Sequence, residues 1–136
     1  MGSDSVSSLN EFKEFREKMN EKILGSGHLG IKRFFTLDTK AFQPGALDVK
    51  TKELLGLVSS MVLRCDDCIT YHVIQCVLEG LSDEEIWEAF NIALVVGGSI
   101  VIPHLRRAVD RLFQCRDLEK SNPEELKQQG SVSPYS

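Results

Sequence analysis

Residues 64–80 read RCDDCITYHVIQCVLEG, and they combine a helical pattern with three cysteines and a histidine. Its apolar residues favour a helix from about Asp66 to Glu79, which ends at Gly80. The next helix begins immediately afterwards, because Ser82 and Glu85 have the spacing of a capping box. The sequence here therefore predicts two consecutive helices joined by a short turn.

Helical periodicity continues on both sides of this stretch. Apolar residues recur at intervals of three and four, and strict apolar alternation never exceeds four residues. We therefore predict an all-α, single-domain fold of about six helices. The predicted helices cover about residues 8–25, 28–42, 48–63, 66–79 and 82–97, with a last long helix from Pro103.

The two ends of the chain lack this periodicity. Residues 1–8 are small, polar and acidic, so we expect them to be disordered and in part a remnant of cloning. Residues 121–136 are polar without a repeat, so we predict a short turn and then a loose C-terminal tail. The helical domain is accordingly expected over residues 9–120.

Composition argues against several classes of partner. The chain has 136 residues, of which 42% are hydrophobic, as in an ordinary soluble domain. Its formal net charge of -4 argues against nucleic acid, because phosphate binding needs a basic face. The longest apolar stretch, residues 92–102, is half as long as the ~20 residues that a membrane span needs. Since no secretory signal is visible, we predict a cytoplasmic protein with no nucleic-acid or membrane partner.

Three of the four cysteines lie close together in the sequence. Cys65 and Cys68 are three residues apart and His72 follows four residues later, so a helix places them on one face. Cys76 extends this face, but it would lie about 16 Å from Cys65 along the helix axis, too far for one zinc ion to bind both. We therefore predict no metal site, and we expect Cys76 to be a core residue.

The paired cysteines suit thiol–disulfide chemistry better than metal binding. A helix N-terminus lowers a thiol pKa and Arg64 acts in the same direction, whereas Asp66 and Asp67 oppose it, and the sequence leaves this balance open. His72, one turn after Cys68, can accept its proton as a general base. The alternative is that the cysteines are small core residues and His72 is a hydrogen-bonded core histidine.

The remaining cysteine and histidines show no chemistry in the sequence. Cys115 has no visible partner. His28 and His104 lack a cysteine or carboxylate at helical spacing, so we expect surface or capping roles for them. We expect the arginines of the last helix to form a solvated face, and these are Arg106, Arg107 and Arg111.

The spacing of Glu53, Cys65, Cys68 and His72 resembles that of a known family, the alkylhydroperoxidase D (AhpD)-like branch of the carboxymuconolactone decarboxylase superfamily. Its pattern is a glutamate, eleven residues, Cys-x2-Cys, three residues and a histidine, as in this chain. The flanking residues agree, and the resemblance covers residues 47–110. The best-studied members often have a histidine just before the second cysteine, where this chain has Asp67.

The resemblance implies a thiol peroxidase that needs neither a metal nor an organic cofactor. It implies that Cys68 attacks the peroxide and that Cys65 resolves the resulting sulfenic acid. His72 would be the base, and Glu53 the outer group of the proton relay. The implied partners are a hydroperoxide substrate and a cellular dithiol or thiol-protein reductant. The implied all-helical AhpD-like fold assembles as a homo-oligomer, a trimer or a hexamer.

The role of Glu53 requires a bend in the chain. One straight helix would separate Glu53 from Cys65 by about 18 Å. The relay is therefore possible only if the chain turns between about Leu63 and Asp66, where Asp66 and Asp67 are consistent with a new helix start.

Two alternative functions stay open. One is lactone decarboxylation, the other chemistry of the superfamily, which has no use for paired thiols. The other is a non-catalytic helical oligomer that senses redox state through the Cys65–Cys68 pair.

Overall fold

Seven α-helices follow one another in the computed structural model, which describes residues 2–130 and the side chains from Leu9 onward. No strand occurs within those residues, so the predicted all-α fold is confirmed. A short 3₁₀ turn, Ser99–Val101, separates α5 from α6. The helices are α1 (Gly2–Gly25), α2 (Leu29–Ala41), α3 (Val49–Val62), α4 (Asp66–Leu78), α5 (Asp83–Gly97), α6 (Ile102–Ser121) and α7 (Pro123–Gln129).

Side-chain caps fix where α3 and α5 begin. The backbone N–H of Glu85 donates to the Ser82 hydroxyl oxygen, and the backbone N–H of Ser82 donates to the Glu85 carboxylate. These two bonds form the predicted capping box. At α3, the backbone N–H of Thr51 donates to the Asp48 carboxylate over 2.8 Å. Both starts agree with the sequence prediction, because caps are encoded by nearby residues.

Helix α4 forms the centre of the fold. It packs against α3, α6 and α7, while α1 packs against α2, α6 and α7. Val73, Ile74 and Val77 bury the C-terminal half of α4 in the core. The N-terminal half reaches the surface, and this end carries the two close-set cysteines. Helix α4 therefore connects the core to the candidate site.

The N-terminal helix is longer than expected. It begins at Gly2, so it includes residues 2–8 that we expected to be disordered, while Met1 lies outside the described residues. Leu9 is buried in the core. Because propagation of a formed helix costs little, α1 extends past this first buried residue.

The C-terminal segment is not a loose tail as far as residue 130. Residues 123–129 form α7, and Leu126 is buried in the core. The prediction is wrong here because contacts with distant parts of the chain, rather than local periodicity, hold the segment. Residues 131–136 lie outside the described part of the chain. Two hydrogen bonds hold the segment, from Gln75 Nε2 to the Gly130 carbonyl at 2.8 Å and from Gln129 Nε2 to Asn10 Oδ1 at 2.6 Å.

Several apolar side chains remain on the surface. Helix α2 contains no buried residue, and its Phe34 and Leu37 are exposed. Val95 and Val96 of α5 and the following Ile100 are also exposed. Among the described residues, no helix has both the length and the apolar character needed to cross a bilayer.

Candidate functional site

A tight turn between α3 and α4 brings the two parts of the sequence motif together. Helix α3 is capped by Leu63, and Arg64 then adopts the left-handed conformation, with a φ of 59°. The chain therefore reverses where the relay to Glu53 required a bend. Two hydrogen bonds of 3.0 Å close this Schellman motif, from the Arg64 N–H to the Met61 carbonyl and from the Cys65 N–H to the Ser60 carbonyl.

His72 and Glu53 form a hydrogen-bonded pair across the interface of α3 and α4. His72 Nδ1 lies 3.3 Å from Glu53 Oε2, and the two side chains are only 12% and 4% exposed. In the tautomer in which Nδ1 donates to the Glu53 carboxylate, Nε2 is left as an acceptor. This hydrogen bond favours the tautomer that a general base needs.

Packing also holds the imidazole of His72 in place. The ring lies over Gly56, where a Cβ atom would come within 2.6 Å of its Cε1 atom. The ring centroids of Phe42 and Tyr71 each lie 5.2 Å from that of the imidazole. These three residues were missed in the sequence. A glycine inside a predicted helix, three residues after Glu53, is the signal that could have indicated a close approach.

Cys65 and Cys68 are joined by a disulfide bond at the N-terminus of α4, with their Cα atoms 5.3 Å apart. Cys65 is the N-cap, and its sulfur accepts a hydrogen bond from the Cys68 backbone N–H at 3.3 Å. Cys68 is exposed, whereas Cys65 is half-buried. When the pair is reduced, a helix N-terminus favours a thiolate, and Cys68 is the more exposed of the two cysteines.

The other two cysteines belong to the core. Cys76 and Cys115 are both free thiols with no exposed surface. Burial raises the pKa of each thiol to about 12, because desolvation disfavours the thiolate. Cys76 therefore has the core position expected from the sequence, and both thiols are protonated at neutral pH.

A second histidine–carboxylate pair lies at the first residue of α4. His104 Nδ1 is 2.8 Å from one oxygen of Asp66, and Arg107 Nη1 is 3.2 Å from the other. His104 is therefore an interhelical partner rather than a surface or capping residue, and Arg107 does more than form a solvated face. Helical spacing could not reveal contacts between residues so distant in the sequence. His28, in contrast, caps α2 as expected, since its Nδ1 accepts from the Ile31 N–H.

Cys68 and His72 line the same open cavity of about 620 Å³, between α1, α2, α4 and α6. The guanidinium of Arg16 lies 4.9 Å from the centroid of the Tyr71 ring in its wall. Burial raises the pKa of Tyr71 to about 12, so its phenol stays protonated. The cavity can hold a small organic molecule beside one sulfur and the imidazole. Its apolar lining comprises Phe12, Phe15, Met19, Phe42 and Tyr71, and its charged lining includes Glu11, Arg16, Asp38, Asp67 and Arg111.

The chemical groups of the site are arranged in pairs rather than around a common centre. Among the side chains that the structure describes, no three or more histidine, cysteine or acidic groups come together in a way that could hold a metal ion. The arrangement instead offers a dithiol and an oriented proton acceptor.

The sequence profile of the carboxymuconolactone decarboxylase family matches residues 31–111, which is more than half of the chain. The protein belongs to the carboxymuconolactone decarboxylase family. The matched residues include Glu53, Cys65, Cys68 and His72. They extend from α2 into α6, so the match contains the hydrogen-bonded pairs and the dithiol but only part of the cavity wall.

Solved structures of carboxymuconolactone decarboxylase family proteins share the fold. One from Thermotoga maritima, for which a role in the antioxidative response has been suggested, is 62% identical with a TM-score of 0.80. The alignment covers 85% of this chain and 97% of that one. An apo structure of a family protein from Legionella pneumophila is 25% identical with a TM-score of 0.68, over 81% of this chain and 96% of that one.

A curated relative adds similarity in sequence but no function. Uncharacterized protein 4 in the cox locus of Paracoccus denitrificans is 33% identical over 76 residues. These residues cover 56% of this chain and 68% of that protein.

Proposed function

We propose that the protein is an alkylhydroperoxidase-like thiol peroxidase, a disulfide oxidoreductase that reduces hydroperoxides. One observation carries the proposal: the exposed Cys68 and the oriented His72 line one cavity, with Cys65 bonded to Cys68. Membership of the family supports it, as does the antioxidative role suggested for the relative from Thermotoga maritima. A cytoplasmic location would supply the reducing thiols that the cycle consumes.

The reaction begins with the reduced dithiol. His72 Nε2 accepts the proton of the Cys68 thiol, and the thiolate attacks one oxygen of the hydroperoxide. A sulfur–oxygen bond forms as the oxygen–oxygen bond breaks, and the alcohol, or water from hydrogen peroxide, leaves with the proton from His72. Cys65 then attacks the sulfenic sulfur, so that a disulfide forms and water leaves. A cellular dithiol or thiol-protein restores both thiols by exchange.

Glu53 acts through His72 in this scheme. Its buried carboxylate fixes the orientation of the ring and stabilises the imidazolium that forms when Nε2 takes the proton. Asp67, which stands where related proteins often have a histidine, is exposed on the cavity wall and supplies no second imidazole. The relay therefore consists of Glu53, His72 and the thiol.

Steady-state reduction of tert-butyl hydroperoxide with dithiothreitol tests the proposal. Cys68→Ser is expected to abolish turnover, because it removes the attacking sulfur. Cys65→Ser is expected to consume peroxide without forming an intramolecular disulfide. Cys115→Ala is the matched control, since it removes a thiol from the core and leaves the site intact. Full turnover by Cys68→Ser would overturn the assignment.

Lactone decarboxylation is a second candidate because the matched family bears that name. This chemistry needs acid–base groups but no dithiol. Decarboxylation of a carboxylated lactone by a Cys65→Ala/Cys68→Ala double variant would favour it over the peroxidase. A redox sensor without catalysis is the third candidate, and disulfide-dependent binding of a partner without peroxide turnover would favour that one.

We also propose that the chain forms a homo-oligomer, a trimer or a hexamer. The exposed Phe34 and Leu37 on α2 and the exposed Val95 and Val96 on α5 supply apolar surface for such contacts. Sedimentation velocity gives the mass directly. A monomer at micromolar concentration would contradict this proposal without affecting the chemistry of the site.

A further inference from the structure

The Asp66 carboxylate next to the dithiol is bound by two side chains. Asp66 directly follows Cys65 and is the first residue of α4, so its carboxylate lies at the helix end that stabilises a thiolate. A nearby negative charge opposes that stabilisation. In the structure, His104 binds one oxygen of this carboxylate at 2.8 Å and Arg107 binds the other at 3.2 Å.

We infer that His104 and Arg107 are positioning residues that set the reactivity of the Cys65–Cys68 dithiol by offsetting the charge of Asp66. Hydrogen bonds from His104 and Arg107 partly neutralise the negative charge at the N-terminus of α4. The negative charge of Asp66 then opposes the stabilising effect of the helix N-terminus less strongly. This favours the thiolate form of the cysteines, and with it the attack of Cys65 on the sulfenic sulfur of Cys68. The inference concerns the same dithiol as the proposed function and rests on it for its biological meaning.

The contacts single out Asp66 from its neighbour. Asp67 is exposed and forms no ion pair among the described residues, whereas Asp66 has two partners, both from α6. Helix α6 is thus bonded to the residue that directly follows Cys65. The other charged or titratable groups around this end of α4 are Arg64 in the turn, Glu53 with His72, and Glu11, Arg16, Asp38, Tyr71 and Arg111 in the cavity wall.

Alkylation of the reduced protein by iodoacetamide, followed from pH 5 to pH 10 without peroxide, tests the inference. Asp66→Asn removes the charge and should speed alkylation at neutral pH by about two- to fivefold, the size expected for a partly exposed charge. Arg107→Gln should slow it by about the same factor, and His104→Gln should slow it less because glutamine can still donate. Arg106→Gln is the matched control, since Arg106 is an exposed neighbour with no ion pair among the described residues, and should change nothing.

The double variant Asp66→Asn/Arg107→Gln separates this role from a structural one. If Arg107 acts through Asp66, the double variant should alkylate as fast as Asp66→Asn alone. Equal slowing by Arg107→Gln in both backgrounds, or no slowing in either, would overturn the inference. Since Arg107 is mostly exposed, its variant is expected to fold, and circular dichroism checks this. Because no peroxide is used, the result does not depend on peroxidase activity.

Discussion

Two histidine–carboxylate pairs lie close to one dithiol, and they differ in burial. In the pair of His72 and Glu53, the side chains are 12% and 4% exposed, and the imidazole lines the cavity beside Cys68. In the pair of His104 and Asp66, they are 18% and 41% exposed, and Arg107 shares the carboxylate. An imidazole and a carboxylate thus provide an oriented base when both are buried at the cavity. In the second pair the Asp66 carboxylate is partly solvated, so His104 and Asp66 can only adjust the local charge.

The largest difference between the pairs should appear when each histidine is replaced. His72→Gln removes the proton acceptor and is expected to lower kcat/KM for tert-butyl hydroperoxide by about 100-fold or more, the usual contribution of a general base. His104→Gln is expected to lower it by less than about fivefold, because it perturbs only a partly exposed charge. His28→Gln, at the cap of α2, controls for loss of a histidine. Equal losses of kcat/KM in His72→Gln and His104→Gln would show that the two pairs do not differ in function.

A methyl group at Gly56 should disturb the pair of His72 and Glu53 but not the pair of His104 and Asp66. Gly56→Ala puts a Cβ atom against the imidazole of His72, so the ring must move. We expect kcat/KM to fall by about 10- to 100-fold, since small displacements of a catalytic group are costly. Gly25→Ala is the matched control, because its Cβ would meet nothing within 4 Å. Unchanged activity of Gly56→Ala, with normal circular dichroism, would show that the ring position is not critical.

The smallest expected effect is on Cys76 and Cys115, the two thiols that lie in the core. The pKa values of Cys76 and Cys115 are raised from 9.0 to about 12, so iodoacetamide at pH 8 should modify Cys65 and Cys68 only in the reduced native protein. The folded state keeps protons that the unfolded state loses, so its stability should decline as the pH rises from about 9 towards 12. Mass spectrometry of the native and urea-unfolded protein counts the labels. Labelling of Cys76 in the native state would contradict its core position.

The features that local sequence encodes could be predicted. Ser82 and Glu85 gave a correct helix start because a capping box involves residues three apart. Cys65, Cys68 and His72 could be placed together because the helical repeat is regular. The proximity of Glu53 could be stated only as a condition, since arginine rarely adopts the left-handed conformation that Arg64 has in the turn.

The features that tertiary contacts create could not be predicted. The partners His104 and Asp66 lie on different helices, and no pattern within either helix indicates the other. The polar segment of α7 has no clear periodicity, and its order comes from burial of Leu126 and from distant hydrogen bonds. Gly56 gave a weak signal, but only the packing of α3 on α4 shows that the missing side chain makes room for His72.

In the proposed reaction, Cys68 at the cavity with His72 is the sulfur that attacks the peroxide. The most direct test adds one equivalent of tert-butyl hydroperoxide to reduced Cys65→Ser and traps sulfenic acid with dimedone before peptide mass spectrometry. We predict a stoichiometric adduct on Cys68, and none on Cys65 in the reciprocal Cys68→Ser variant. An adduct on Cys65 in Cys68→Ser, with Cys68 unmodified in Cys65→Ser, would show instead that Cys65 is the attacking sulfur.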